Sequence, residues 1–269
     1  MAAPLLRILS DLHLGDERSS LRDPAQLAPL LEGVGELVLN GDTCDTQHDL
    51  GPAEVAALKE FFTARVPSVT FLTGNHDPDI SAAHELELAD GRVWVTHGDV
   101  LFDDIAPWSR LRPELARRLA LIRPRHPTAD WTNISTRLPM MREACLKLPC
   151  EHASRLGGGV LTKLQRAARD LFPPNRALAM LRAWAAAPRL AARLAAAQRP
   201  AARLIVTGHI HFPGVRRSGG RTVVNTGSFS PPLGARCVDL AGGTVRVRRV
   251  ERREDIFYPG RVVAEFPLA

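Results

Sequence analysis

Lysine is nearly missing from this sequence: Lys59, Lys147 and Lys163 are the only three among 35 basic residues. Arginine-for-lysine usage on that scale is what codon bias produces. Cysteine is sparse too, and Cys44, Cys145, Cys150 and Cys237 show neither zinc-finger nor Cys-x-x-Cys spacing, so a reduced, cytoplasmic protein is expected. No apolar run reaches the roughly 18 residues that a membrane span needs. The opening Met1-Ala2-Ala3-Pro4 lacks a basic segment, and the short run Leu5–Leu9 leads straight into a polar motif, so it reads as a strand rather than a signal peptide. Acidic residues are scarce between Arg110 and Arg221, where five of them face 22 Lys and Arg, a balance of +17. The rest of the chain carries −11, so the net +6 hides a segregation that codon bias does not explain. A basic part attracts anions such as phosphate esters, nucleic acid or membrane lipid, and an acidic part is what a polycation site needs.

What is present is an ordinary globular composition, 45% hydrophobic and 24% charged, in a chain of 269 residues with no internal repeat. That length suffices for one large domain, or for a core with a sizeable insertion. Leu5–Leu9, Glu36–Asn40, Ser68–Leu72 and Arg92–Thr96 read as strands, alternating with helices at Pro24–Leu31 and Pro52–Arg65. Such alternation implies a sheet with crossover connections covered by helices. Strand texture returns at Leu204–Thr207, Arg221–Asn225, Ala235–Leu240 and Thr244–Val250. The organisation expected is a core of residues 1–104 and 201–254, a helical insertion at 105–200 rich in Ala, Leu and Arg, and a tail at 255–269 with no clear period.

The polar motifs stand at strand ends. Asp11-Leu12-His13 follows the first strand, and Gly41-Asp42 with Asp45 follows the second. Gly74-Asn75-His76-Asp77 follows the third, His97-Gly98-Asp99 the fourth, and Gly208-His209-Ile210-His211 the first strand beyond the insertion. Ligands bind beyond the carboxyl ends of strands in open α/β sheets, so these loops should converge on one site. Carboxylate, amide and imidazole together suit Mn, Fe or Zn rather than calcium. Asp-x-His and His-x-His spacing lets alternate side chains point the same way, and the neighbouring glycines permit sharp turns and close approach. Five of the nine histidines fall in these motifs; His48, His84, His126 and His152 do not and read as surface residues. Asp45 and Asp99 read as carboxylates that support ligands, and Cys44 as a packing residue.

This ordered set resembles that of the calcineurin-like metallophosphoesterases, over roughly residues 5–103 and 203–250, and Asn225-Thr226-Gly227-Ser228 resembles a segment of their bacterial members. The resemblance implies a four-layer αββα sandwich and two divalent metal ions, manganese first, with iron or zinc as alternatives. It implies that one ion takes Asp11, His13, Asp42 and His211, and the other Asp42, Asn75, His97 and His209, with Asp42 bridging. A hydroxide between the ions would attack phosphorus in line. His76 would be the catalytic acid, oriented by Asp77. The activity implied is hydrolysis of a phosphomonoester, phosphodiester or pyrophosphate; loss of the metals, leaving a scaffold, is disfavoured because every ligand residue is present.

The insertion lies between the fourth and fifth motifs, so its ends should emerge beside the metals as a lid or cap. Leu178, Leu181 and Trp184, then Leu190 and Leu194, have helical spacing with a break at Pro188, accompanied by Arg182, Arg189, Arg193 and Arg199. Basic amphipathic helices lie on membranes or cover anionic ligands, whereas ordinary helices pack on a core with snorkelling arginines. The position of the insertion resembles that in the UDP-2,3-diacylglucosamine hydrolases of lipid A synthesis, which would mean a lipid-linked pyrophosphate and a protein peripheral to the membrane. Their insertion sequence is not recognisable here. A nuclease of the same superfamily is a further alternative, although Trp108, Trp131, Phe172 and Trp184 are too few for a typical nucleic-acid groove.

Overall fold

A computed structural model describes residues 4–149 and 174–268. Cys150, His152, Phe172 and the rest of the central part of the insertion lie outside them. Two sheets organise the described residues. The first joins β1 (Leu5–Leu9), β2 (Val34–Asn40), β3 (Ser68–Leu72), β9 (Arg236–Ala241), β10 (Thr244–Arg253) and β11 (Ile256–Pro267) in the order β11-β10-β9-β1-β2-β3. The second joins β4 (Glu85–Leu88), β5 (Val93–Thr96), β6 (Leu204–Thr207), β7 (Gly214–Ser218) and β8 (Arg221–Asn225) in the order β4-β5-β6-β8-β7. β1, β2 and β3 are mutually parallel, as are β5, β6 and β8.

Alternation along the strands builds three apolar layers, because successive side chains point to opposite faces. Leu6, Ile8, Val38, Leu72, Val238 and Val247 meet Val93, Val95, Leu204, Val206 and Val224 between the sheets. Their neighbours Leu9, Leu37 and Leu39 face the other way, onto Leu30 of α1 (Ala28–Leu31) and Leu58 and Phe62 of α2 (Pro52–Thr63). On the far side Trp94, Ile205 and Val223 pack against α3 (Arg112–Ile122), α4 (Ile134–Cys145) and α5 (Pro174–Gln198) through Leu119, Leu138, Met141, Ala191 and Ala195. The result is the four-layer αββα sandwich. One helix-facing position is charged: buried Arg7 donates to both carboxylate oxygens of Asp239 at 2.7 Å and to the Leu30 carbonyl at 2.7 Å. Bidentate pairing of this kind is what makes a buried guanidinium tolerable.

Three features differ from the sequence reading. Residues 255–269, expected as a tail, contain β11, which pairs antiparallel with β10. β4 and β7 went unseen because they are short edge strands: Glu-Leu-Glu-Leu alternates for only two periods, and Gly-Val-Arg-Arg-Ser has a single large apolar residue. The break expected at Pro188 is absent, since α5 runs through it. An internal proline forfeits one helical hydrogen bond, and here packing offsets it: Ala183 and Ala187 are buried in one apolar cluster, Ala191 and Ala195 in another. The described helices of the insertion thus form a fourth layer on the outer face of the second sheet, and α5 also packs on the fifth motif loop, where Ala183, Ala187 and Trp184 meet Ile210 and Phe212.

Candidate metal centre

The parallel strands of both sheets deliver their carboxyl ends to one edge, where the five motif loops meet. Backbone bonds lock the first two together: Asp11 N–H donates to the Gly41 carbonyl (3.1 Å), His13 N–H to that of Asp42 (3.0 Å) and Leu14 N–H to that of Thr43 (3.0 Å). The fifth loop is held by Asp11, whose Oδ1 and Oδ2 accept from His209 N–H at 3.0 and 3.2 Å. Among the described residues ten non-glycine residues have positive φ, and five are Asp11, His13, Asp42, His209 and His211. Left-handed backbone at such residues costs on the order of 1–3 kcal/mol each and persists where the surroundings over-determine it. Here it turns both polar side chains of Asp11-Leu12-His13 into the site while Leu12 stays wholly buried.

Two glycines are required by close approach. A Cβ at Gly74 would lie 2.1 Å from Asp42 Oδ1, and one at Gly208 would lie 2.0 Å from Asp11 Oδ2. A methyl group at either position would displace a carboxylate of the site.

Two donor groups result. Asp11, His13, Asp42 and His211 present donor atoms within 4.8 Å of one another, and so do Asp42, His97 and His209. Asp42 belongs to both. In the first group His211 Nε2 lies 3.1 Å from Asp11 Oδ1 and 3.1 Å from His13 Nε2. In the second His97 Nε2 lies 3.2 Å from Asp42 Oδ2. The far nitrogens are fixed by carbonyls: His97 Nδ1 donates to Asn40 (3.0 Å), and His209 Nε2 donates to Ile105 (2.9 Å). Each bond turns the ring's other nitrogen toward the site, as metal-ligating histidines require. Burial lowers the His97 pKa, but the adjacent Asp42 carboxylate outweighs that and raises it to about 10, so a cation there would displace a proton. Burial, then the charge of His211, pushes His13 down to about 3, and burial, then His97, pushes His209 down to about 4. Both rings are therefore neutral at pH 7. Asn75 directly follows Gly74, whose backbone closely approaches Asp42, and its Oδ1 is buried with no hydrogen-bond partner; His97 Nε2 also makes no hydrogen bond. Orphaned buried acceptors call for an explanation, and a bound cation would satisfy them. The residues fit a pair of divalent ions.

His76 stands beside these groups, with its side chain 30% exposed. Burial lowers its pKa, but Asp42 and the Asp45 carboxylate, whose Oδ2 lies 3.1 Å from Nδ1, outweigh that and raise it to about 9. The expected orienting residue, Asp77, does something else. Its Oδ1 accepts from Asp42 N–H (2.9 Å) and Gly74 N–H (2.7 Å), and its Oδ2 from Thr43 N–H (2.7 Å). Fully buried, it spends its acceptors on the backbone that carries Asp42, and Asp45 takes the place proposed for it. The family resemblance implied that role for Asp77, whereas Asp77 faces the backbone of the second and third loops and His76 faces Asp45.

Other supporting residues escaped sequence reasoning. Ser10 bonds both Asp11 and Thr226, and Asn225 Nδ2 donates to the Gly208 carbonyl (2.5 Å), so the Asn225–Ser228 segment braces the first and fifth loops. His84, expected at the surface, is half-buried with Nδ1 2.8 Å from Thr73 Oγ1. Trp184 Nε1–H donates to the Ile210 carbonyl (2.8 Å), between the two histidines of the fifth loop, and its ring stacks on Phe212 at 4.5 Å. No sequence signal marks Arg142 or Ile105 as neighbours of the site.

Residues 158–243 match the family model of the calcineurin-like phosphoesterase superfamily domain. No curated protein matches. Among solved structures, the phosphoesterase YfcE from E. coli is 16% identical with a TM-score of 0.44, covering 98% of this chain and 100% of its own. A predicted phosphoesterase from Streptococcus pneumoniae TIGR4 is 16% identical with a TM-score of 0.42, covering 99% of each chain. Vps29 from Entamoeba histolytica, solved with zinc, is 13% identical with a TM-score of 0.42, covering 98% of this chain and 99% of its own. The matched segment, less than half of the chain, carries the Gly208-His209-Ile210-His211 loop, and over it the chain is similar to the calcineurin-like phosphoesterase superfamily domain.

Proposed function

We propose that this chain is a dinuclear metal-dependent phosphoesterase, cleaving a phosphomonoester, phosphodiester or pyrophosphate. The observation that carries the reading is the sharing of Asp42 between two donor groups that otherwise have no residue in common. Asp11, His13, Asp42 and His211 would hold one ion; Asp42, Asn75, His97 and His209 the other. Bound ions supply Lewis acidity toward the phosphoryl oxygens and a nucleophilic water at neutral pH. The donor set suits manganese, with iron or zinc as alternatives.

The protein's own part is positional and protonic. Neutral His13 and His209 offer lone pairs without prior deprotonation. Asp77 fixes the backbone of Asp42 through three N–H bonds, so the shared carboxylate is held before any ion arrives. His76, protonated at neutral pH beside Asp45, is placed to give its proton to the leaving oxygen. The exposed side of His211, 40% accessible, leaves the site open to a charged ester.

The test is metal analysis joined to a substrate panel of a phosphomonoester, a phosphodiester, a UDP-sugar and single-stranded DNA, assayed with Mn²⁺ beside Asp42→Ala. The expected result is about two ions per chain, hydrolysis of at least one class, and loss of both in Asp42→Ala. A protein that binds no divalent ion and hydrolyses none of the panel sinks the reading.

A further inference from the structure

Arg142 is charged, 3% exposed, and set in the last turn of α4, in the outer helical layer. Its guanidinium crosses to the strand ends. Both terminal nitrogens engage the Asp99 carboxylate, Nη2 at 3.0 Å from Oδ1, while Nε donates to Thr73 Oγ1 (2.7 Å) and Nη2 also to the Thr73 carbonyl (3.0 Å). Asp99 stands two residues after His97 and Thr73 two residues before Asn75. One side chain therefore ties together the third and fourth motif loops, which supply Asn75 and His97. It makes no hydrogen bond to the first or fifth loop among the described residues.

A buried ion pair is weak evidence for stability, since apolar replacements of similar volume often do as well. The geometry here has a more specific consequence. A planar guanidinium with fixed donor directions can hold a carboxylate and a neighbouring loop at one spacing, which a lysine ammonium cannot. Groups that orient metal ligands tune affinity by roughly 10–100-fold when removed.

We propose that Arg142 is a positioning residue for one ion only: α4 sets the affinity of the site formed by Asp42, Asn75, His97 and His209, and leaves that of Asp11, His13, Asp42 and His211 unchanged. The inference rests on the two-ion reading above, and wild-type protein tests that reading first.

The experiment is an equilibrium Mn²⁺ titration of the full chain, with melting of the metal-free protein followed by circular dichroism. Arg142→Lys keeps the charge but loses the fork. Arg142→Met combined with Asp99→Leu removes both charges together, so that neither is left buried alone. His97→Ala and His13→Ala mark what loss of each ion looks like. The expected result is a double variant that melts cooperatively, keeps one ion at wild-type affinity and binds the other about 10–100-fold more weakly, so that its titration resembles that of His97→Ala. Arg142→Lys should fall between it and wild type, and carries the comparison if the double variant does not fold. Two ions bound as in wild type, or both weakened alike, overturns the proposal; the second pattern makes Arg142 a stabilising residue. Wild-type protein binding no second ion defeats the functional reading itself, before any variant is measured.

Discussion

His76 and Asp45 form the pair on which the protonation state of the site turns. Burial by itself would lower the His76 pKa, and the carboxylates of Asp42 and Asp45 raise it to about 9 instead. A raised pKa keeps the imidazolium populated through neutral pH, and an acid catalyst is lost as pH rises through that value. Asp45→Asn removes the hydrogen-bonded carboxylate, so the alkaline fall in kcat should move to lower pH, while bound metal changes little. His76→Ala should slow turnover by roughly 10²–10⁴-fold at neutral pH, and the loss should shrink for nitrophenyl esters, whose leaving group needs no proton. A pH–rate profile of the three proteins on two leaving groups checks both statements. Loss of metal in His76→Ala would instead make that residue a ligand.

The β10–β11 hairpin shows how an element remote in sequence supports the site. Phe257 near the start of β11 is 5% exposed and meets Phe229 edge to face at 5.1 Å. Phe229 follows β8, and its N–H donates to the Asp11 carbonyl at 3.1 Å. The packing of β11 thus reaches a candidate ligand through one aromatic contact and one backbone bond. Truncating a buried Phe to Ala costs about 3–5 kcal/mol, and Phe257→Ala should show a loss in that range by urea unfolding. Manganese affinity should fall with it, because the Ser228–Phe229 backbone is then free to move away from Asp11. Stability lost with metal affinity fully retained would show that the hairpin and the first loop are independent.

Charge segregation is a property of the whole molecule. Arg182, Arg189 and Arg193 are exposed along α5, the helix anchored to the His209–His211 loop through Trp184. Arg199, one residue past the end of the helix, is committed to Glu85 and Glu87 and belongs to the structure. Replacing the three exposed arginines with Gln should raise KM for a large polyanionic substrate and leave a small chromogenic ester unchanged. Added salt should mimic the change, since exposed charges are screened over about 8–10 Å at physiological ionic strength. Co-sedimentation with anionic vesicles distinguishes a lipid-linked substrate from single-stranded DNA. A triple variant equal to wild type on every substrate makes the arginines a solvated surface. No helix among the described residues is long and apolar enough to cross a membrane.

The sequence by itself determined the strands that carry motifs and the residues at their ends. Strand period and glycine placement are local properties, readable wherever a buried strand runs into a polar turn, as Leu5–Leu9 does into Asp11. It also held the ordered ligand set, because a donor such as Asp42 or His211 cannot be exchanged without changing the chemistry. It could not reveal which strands share a sheet. That depends on pairing between distant segments, such as β1 with β9 and β5 with β6, and a strand as short as β4 gives too brief a periodic signal. The same limit hid the partners of the supporting carboxylates, although Asp45 and Asp99 themselves were legible in the motifs. Asp45 rather than Asp77 reaches His76, and Arg142 spans the Thr73 and Asp99 loops, because hydrogen bonds follow distance in space rather than order along the chain. Tertiary structure alone decided those partners, and it laid the described insertion helices on the second sheet with Arg142 and Trp184 reaching the site loops.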